Sequence, residues 1–149
     1  MPTKLTISIS SKPAVIIHRR ANANKRLVYV AVANKPHRYR YGRSHILYIG
    51  STKKGASRVA ASAAAKARDL LTEHGVKELH FFTVSCRERQ HVKTWMKLER
   101  GLLLTFRETF GDVPIGNTHG KKMKRTDELN FFTRRRLGAV LDKYRDGPA

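Results

Sequence analysis

Short segments in which apolar residues alternate with polar ones or run together predict β-strands in the first half of the chain. Leu5, Ile7 and Ile9 fall on one face of the first such segment, and a β-branched and aromatic run, LVYVAVA, begins at Leu27. The strands predicted in this way cover residues 4–10, 14–17, 27–33, 46–50 and 79–86. Residues 34–44 contain Pro, Gly and several basic residues, so strands 27–33 and 46–50 are expected to form a hairpin with a long basic tip.

Three longer segments have helical character. Residues 56–71 are rich in Ala, Lys and Arg, and Gly75 follows them as a stop signal. Residues 88–110 form a long predicted helix that ends at Gly111, and residues 127–143 form a last basic helix. The order of elements predicts a mixed α/β fold of the α+β type, in which helices flank a small central antiparallel sheet of three strands, with an extra N-terminal strand segment.

The same elements divide the chain into three expected parts. Residues 1–26 form an arm with short strands, residues 27–122 form the main domain, and residues 123–149 form a basic helical extension. Apolar runs are far shorter than the roughly 20 residues of a membrane helix, and the N-terminus lacks an apolar signal core. The single cysteine, Cys86, suits a reducing compartment. We therefore expect a cytoplasmic protein without membrane contact.

A strong positive charge indicates a polyphosphate partner. Lys and Arg number 31 and Asp and Glu number 11, so the formal net charge is +20. Charge does not say whether the bound polymer is cut. The residues expected to contact a nucleic-acid backbone, from the hairpin tip to the loop after the long helix, are Arg38, Arg40, Arg43, Gly50, Lys53, Lys54, His119, Lys121, Lys122, Lys124 and Arg125.

One carboxylate lies where helical spacing predicts an apolar surface. Glu99 falls in the middle of a stripe formed by Val92, Trp95, Met96, Leu102, Leu103, Phe106 and Phe110. A carboxylate there is costly unless a partner compensates its charge. A structural pair with an arginine is one interpretation. A site for a hard cation such as Mg²⁺, completed by substrate phosphate, is the other.

Four further residues have a structural and a functional interpretation. Tyr29 and Tyr48 lie on the two hairpin strands, where tyrosines usually pack but could present phenols to one groove. Arg58, in the first turn of the Ala-rich helix, is either a solvated side chain or a phosphate clamp. Asn117, in a turn after Pro114, is either a turn residue or part of a site.

Taken in order, these residues resemble the GIY-YIG nuclease family. Tyr48-Ile49-Gly50 matches the second half of the family's name, and Leu27-Val28-Tyr29 occupies the place of the first half with only the tyrosine kept. Arg58, Glu99 and the pair Pro114 and Asn117 fall where the family has its helix arginine, its metal-binding glutamate and its closing turn. The position one turn after the arginine, where many relatives carry a histidine, is Ser62.

The resemblance implies a divalent-metal-dependent endonuclease that hydrolyses double-stranded or branched DNA. It implies catalytic roles for Tyr29, Tyr48, Arg58, Glu99 and Asn117, with Glu99 as the ligand of Mg²⁺ or Mn²⁺. Tyr29 or Tyr48 would orient or deprotonate the attacking water. One rival is a non-catalytic basic module that binds DNA or RNA, in which Glu99 pairs with Arg58 or another cation. A second rival is a ribosomal-type scaffold protein.

Overall fold

A computed structural model describes residues 4–148, and these residues form the predicted α+β fold. The three antiparallel strands are β1 (Leu27–Tyr39), β2 (Gly42–Thr52) and β3 (Leu79–Val84), in the spatial order β2-β1-β3. A short 3₁₀ turn covers Arg19–Asn22. The helices are α1 (Ala56–Glu73), α2 (Thr94–Phe110), α3 (Glu128–Phe131) and α4 (Arg134–Arg145).

The first seven residues of the central strand β1 are buried on both faces, and their side chains alternate between the helices on the two sides of the sheet. Val28, Val30 and Val32 belong to the larger core with α2 and α4. Leu27, Tyr29 and Ala33 point to the other side, where Val59 and Leu70 of α1 cover them. The sheet therefore lies between α1 and the pair α2 and α4, and β2 is left as an edge strand between these layers.

The hairpin is longer and its tip tighter than predicted. Pairing continues past the expected loop to Tyr39 and Gly42, with an irregularity between Val32 and His37, and only residues 40–41 make the turn. Backbone pairing thus extends through a segment whose Pro and charges suggested a loop. The turn lies eight residues along β2 from Gly50, or about 26 Å at the usual strand rise.

The predicted N-terminal strands are absent. Residues 4–18 have no regular secondary structure, and Leu5, Ile7 and Ile9 are 84–92% exposed. Alternation creates an apolar face, but a strand also needs a neighbouring edge for its backbone hydrogen bonds, and none of the described strands pairs with this segment. The first three residues of the predicted arm, and the last residue of the predicted C-terminal extension, lie outside the described residues.

Two predicted helices differ from the observed ones. Helix α2 begins at Thr94 rather than residue 88, because residues 88–93 form a bridged turn in which His91 has a φ of 61°. It ends as predicted at Gly111, whose φ of 87° favours glycine. The last predicted helix is broken into α3 and α4, and the Thr133 side chain caps α4 by accepting a hydrogen bond from the backbone N–H of Arg136.

The C-terminal segment shares the main core rather than forming a separate extension. Leu137 and Leu141 of α4 are buried against α2. Gly101 permits this close approach, because a Cβ there would lie 3.1 Å from a methyl group of Leu137. None of the helices within residues 4–148 combines the length and apolar character that crossing a membrane requires.

Candidate active site

Two tyrosines from neighbouring strands meet on the α1 side of the sheet, away from the hairpin turn. Tyr29 is paired with Gly50 and Tyr48 with Ala31, so the two rings are diagonal neighbours with centroids 5.9 Å apart. A Cβ on Gly50 would lie 2.7 Å from the Tyr29 ring and 2.8 Å from the Tyr48 ring. Gly50 is therefore needed for the two phenols to close over the strand, a role that the sequence did not reveal.

Three other residues of the predicted site, Tyr29, Arg58 and Glu99, influence the pKa of Tyr48. Burial raises the pKa of Tyr48 far above its usual range, and the neighbouring Tyr29 and the charge of Glu99 raise it further. Arg58 acts in the opposite direction, but burial outweighs it. The phenol of Tyr48 is thus neutral at physiological pH and can orient a water molecule through its hydroxyl. Arg58 and Glu99 therefore lie within electrostatic range of the Tyr29–Tyr48 pair, although up to 70 residues separate these four residues in sequence.

Glu99 projects from the second turn of α2 towards the end of β2. Its side chain is half-buried, and burial raises the pKa of its carboxyl group. A hydrogen bond from the Ser51 side chain and the charge of Arg100 oppose this shift without cancelling it. Among residues 4–148 no Lys, Arg or His forms an ion pair with Glu99. The expected alternative, a structural Glu99–Arg pair, is not formed.

A buried Glu–Arg pair does exist, but it uses a glutamate that sequence reasoning missed. Glu128 is 0% exposed and accepts a hydrogen bond from Arg100 Nε at 2.8 Å. Burial would raise the pKa of Glu128, but Arg100 and the backbone and hydroxyl groups around Thr126 lower it to about 2. No periodic signal surrounds Glu128, and its partner is 28 positions away, so the sequence offered no means of finding it.

A cleft of about 510 Å³ opens beside Glu99's neighbour Ser51, between the first turns of α1 and α2. Lys53, Lys54 and Arg58 line it, as expected of phosphate-binding residues. Sequence reasoning missed the six other lining residues, Arg26, Ser51, Thr52, Lys93, Trp95 and Met96. Trp95 and Met96 had been assigned to the apolar stripe of the helix, yet Met96 is 44% exposed. Their neighbours in the stripe, from Leu102 to Phe110, are buried as predicted.

The helix ends at the cleft add to its positive potential. Neither the N-cap of α1, Gly55, nor that of α2, Lys93, provides a side-chain hydrogen bond to its helix. Neither helix has an acidic residue in its first turn. The partial positive charges of both helix ends are therefore uncompensated by side chains, which favours an anion in the space between them.

Asn117 fastens the edge strand β2 beside Gly50. Its Oδ1 accepts a hydrogen bond from the backbone N–H of Ile49 at 3.0 Å, and its Nδ2 donates to the backbone oxygen of Ile49 at 2.8 Å. The backbone N–H of Gly116 donates to Leu47, and that of Asn117 closes the predicted turn onto Pro114. Asn117 therefore positions the Tyr48–Gly50 segment, although it is not itself in the cleft.

The other predicted nucleic-acid contacts lie away from the cleft. Arg38, Arg40 and Arg43 surround a separate cavity of about 350 Å³ at the hairpin turn. The loop that carries His119, Lys121, Lys122 and Lys124 runs along α2, where Arg107 donates to the backbone oxygens of Gly120 and Lys121, and none of these residues lines the cleft. Arg125 is only 20% exposed and pairs with Glu108 at 2.7 Å.

Within residues 4–148 no group of three or more His, Cys, Asp or Glu side chains could together hold a metal ion. Glu99 is the carboxylate that the described structure brings to the tyrosines and Arg58. Comparison of the chain with protein-family models, with curated proteins and with solved structures finds no match. Any functional assignment therefore depends on the residues and their geometry.

Proposed function

We propose that this protein is a divalent-metal-dependent endonuclease of the GIY-YIG type that hydrolyses DNA phosphodiester bonds at the cleft beside Tyr29, Tyr48, Arg58 and Glu99. The observation that carries the proposal is the placement of Glu99. It is a half-buried carboxylate with a raised pKa, it has no ion-pair partner among residues 4–148, and its neighbour Ser51 lines a cleft rich in basic side chains.

The surroundings of Glu99 fit a hard cation. A carboxylate that pays a desolvation cost and lacks an ion pair gains from a positive charge placed against it. Mg²⁺ in phosphate chemistry commonly takes one or two carboxylates together with water and substrate oxygens, so a single glutamate suffices on the protein side. When bound by Glu99, Mg²⁺ or Mn²⁺ would polarise the scissile phosphate and stabilise the leaving oxygen.

The chain's own residues bind the phosphates and orient the attacking water. Arg58 is exposed at the cleft, and its planar guanidinium matches the oxygens of a phosphate and stabilises charge that develops on them. The neutral hydroxyl of Tyr48, with Tyr29 beside it, orients the attacking water. Lys53 and Lys54 hold the flanking phosphates, and Asn117 keeps β2 in place beneath the phenols.

Plasmid cleavage with Mg²⁺ tests this proposal. Replacing Glu99→Gln and, separately, Arg58→Ala should each slow cleavage by at least about 100-fold, because each removes a group that stabilises charge in the transition state. Matched controls are Glu73→Gln and Arg135→Ala, which alter exposed residues outside the cleft. Both controls should cut like the wild type. Wild-type rates in the Glu99 and Arg58 variants would refute the proposed site.

A non-catalytic nucleic-acid-binding module is the second candidate, and the composition of the cleft favours it. Five basic side chains, Arg26, Lys53, Lys54, Arg58 and Lys93, line the cleft and bind phosphate without any need for Glu99. A gel-shift assay separates the two functions. A binding module retains its affinity in EDTA and leaves DNA intact when Mg²⁺ or Mn²⁺ is added, whereas the proposed nuclease cuts the bound DNA once metal is present.

A further inference from the structure

The basic cleft contains apolar surface that phosphate recognition does not explain. Trp95, the chain's single tryptophan, and Met96 occupy the first turn of α2 at the wall of the cleft. The Arg26 guanidinium, which also pairs with Glu88 at 3.3 Å, lies over one face of the Trp95 indole at 5.2 Å from the ring centroid and leaves the other face for a stacked base. Met96 leaves 44% of its surface exposed beside them.

The geometry points to a binding site for an unpaired DNA base, stacked on Trp95 while the basic residues of the cleft hold its phosphates. This inference rests on the proposed function in placing that nucleotide next to the phosphate to be cleaved. It adds an unpaired base to what the substrate must offer, as in single-stranded, frayed or branched DNA or in a locally melted stretch of a supercoiled plasmid.

Two physical arguments favour an unpaired base over a duplex. Proteins that bind single strands combine a positively charged groove with aromatic side chains on which bases stack, whereas an intact duplex hides its base faces and presents phosphates. The cleft volume of about 510 Å³ is also of the size that encloses a small ligand, which suits one nucleotide and not the width of a double helix.

Fluorescence of Trp95 provides a direct measurement, because no other residue of the chain is a tryptophan. The protein is titrated in EDTA with a short single-stranded oligonucleotide, with the same length of blunt duplex, and with a single strand whose central nucleotides are abasic. The single strand should quench Trp95 emission. The duplex and the abasic strand should bind through their phosphates with little quenching.

Substitutions then separate stacking from folding and from charge. Trp95→Ala should weaken binding of the labelled single strand by about 5- to 150-fold, the range measured for loss of one stacked base. The duplex affinity of the same variant should stay within about twofold, since its phosphate contacts remain. Trp95→Phe, which keeps an aromatic face, should retain most of the single-strand affinity, and Lys93→Gln should weaken both ligands.

Equal quenching by the abasic strand, or an equal loss of single-strand and duplex affinity in Trp95→Ala, would overturn the inference. Because these measurements are made without divalent metal, they do not depend on cleavage. A protein that shows base-dependent quenching but never cuts DNA would refute the proposed reaction and support the stacking site.

Discussion

Two glutamates at α2 show how differently the same side chain behaves when its surroundings change. Glu128 packs against α2 from α3, fully buried, and receives hydrogen bonds from Arg100, from the Thr126 backbone at 2.8 Å and from the Thr126 hydroxyl at 3.1 Å. Glu99 lies on α2 itself, adjacent in sequence to Arg100, yet that arginine is directed to Glu128. The pKa of Glu128 is lowered to about 2, and that of Glu99 is raised.

The comparison teaches that burial of a carboxylate does not by itself indicate function. Glu128 is the more buried of the two, but hydrogen bonds and a cation satisfy it, so its charge supports the fold. Glu99 is less buried and less satisfied, and its neighbour Ser51 lines a cleft rich in positive charge. The unsatisfied group is the one that gains from a ligand, and it is the candidate for chemistry.

The largest predicted effect is on the free energy of unfolding when each carboxylate is replaced by a neutral amide. Glu128→Gln should lower the free energy of unfolding by about 3 kcal/mol, because it leaves Arg100 without its charged partner in a buried setting. Glu99→Gln should change that free energy by less than about 1 kcal/mol, in the stabilising direction, because it removes a desolvated charge. Urea denaturation of both variants measures these changes. The slope of the unfolding free energy against urea concentration should equal that of the wild type.

A destabilised Glu99→Gln together with an unaffected Glu128→Gln would reverse the assignment of the two roles. The activity of the Glu128 variant provides the matching control. Measured well below its unfolding transition, Glu128→Gln should cleave DNA at close to the wild-type rate, because Glu128 does not line the cleft.

At acidic pH, the contributions of the two glutamates to the free energy of unfolding should change in opposite directions. Glu128 has a lowered pKa, so the stability it provides is present above its unfolded value of 4.5 and is lost as the pH falls towards 2. Glu99 has a raised pKa, so its ionised form destabilises the fold only as the pH rises above 4.5. As the pH falls, the loss of unfolding free energy in Glu128→Gln relative to wild type should therefore become smaller. The gain of unfolding free energy in Glu99→Gln relative to wild type should disappear.

We expect to see these differences when the unfolding free energies of the wild type and both variants are measured at a series of pH values. The series runs from neutral pH down to the lowest pH at which the protein still folds. Each difference compares two proteins at the same pH, so the general effect of the chain's high positive charge cancels. If the stability differences from wild type changed with pH in the same way for both variants, the opposite pKa shifts of Glu128 and Glu99 would be contradicted.

The unusual position of Glu99 could be predicted from sequence because helical periodicity is a local property. A polar residue inside an apolar stripe is visible without any knowledge of the fold, and the buried positions Leu102, Leu103, Phe106 and Phe110 confirm most of that stripe. Helix α1, the end of α2 at Gly111 and the buried strands around Tyr29 and Tyr48 were predictable for the same reason.

Features that depend on distant partners could not be predicted. Glu128 can be buried because Arg100 and Thr126 bind its carboxylate. Residues 4–10 could form a strand only if a sheet edge were available to pair with them. Trp95 and Met96 follow the apolar period of α2, but on their side of the first turn the helix borders the cleft instead of the core. Periodicity defines a face of a helix and does not say how far the partner surface extends.

The smallest predicted effect comes from removing one hydroxyl beside each carboxylate. Ser51→Ala removes the hydrogen bond that lowers the pKa of Glu99, so Glu99 should ionise at a higher pH. The acid side of the pH–rate profile for DNA cleavage should move to higher pH, with little change in unfolding free energy. Thr126→Ala removes a hydroxyl from Glu128 and should instead cost about 1 kcal/mol of stability without moving the profile. A profile that moves in Thr126→Ala and stays fixed in Ser51→Ala would place the titrating carboxylate of the reaction at Glu128, against the assignment made from their surroundings.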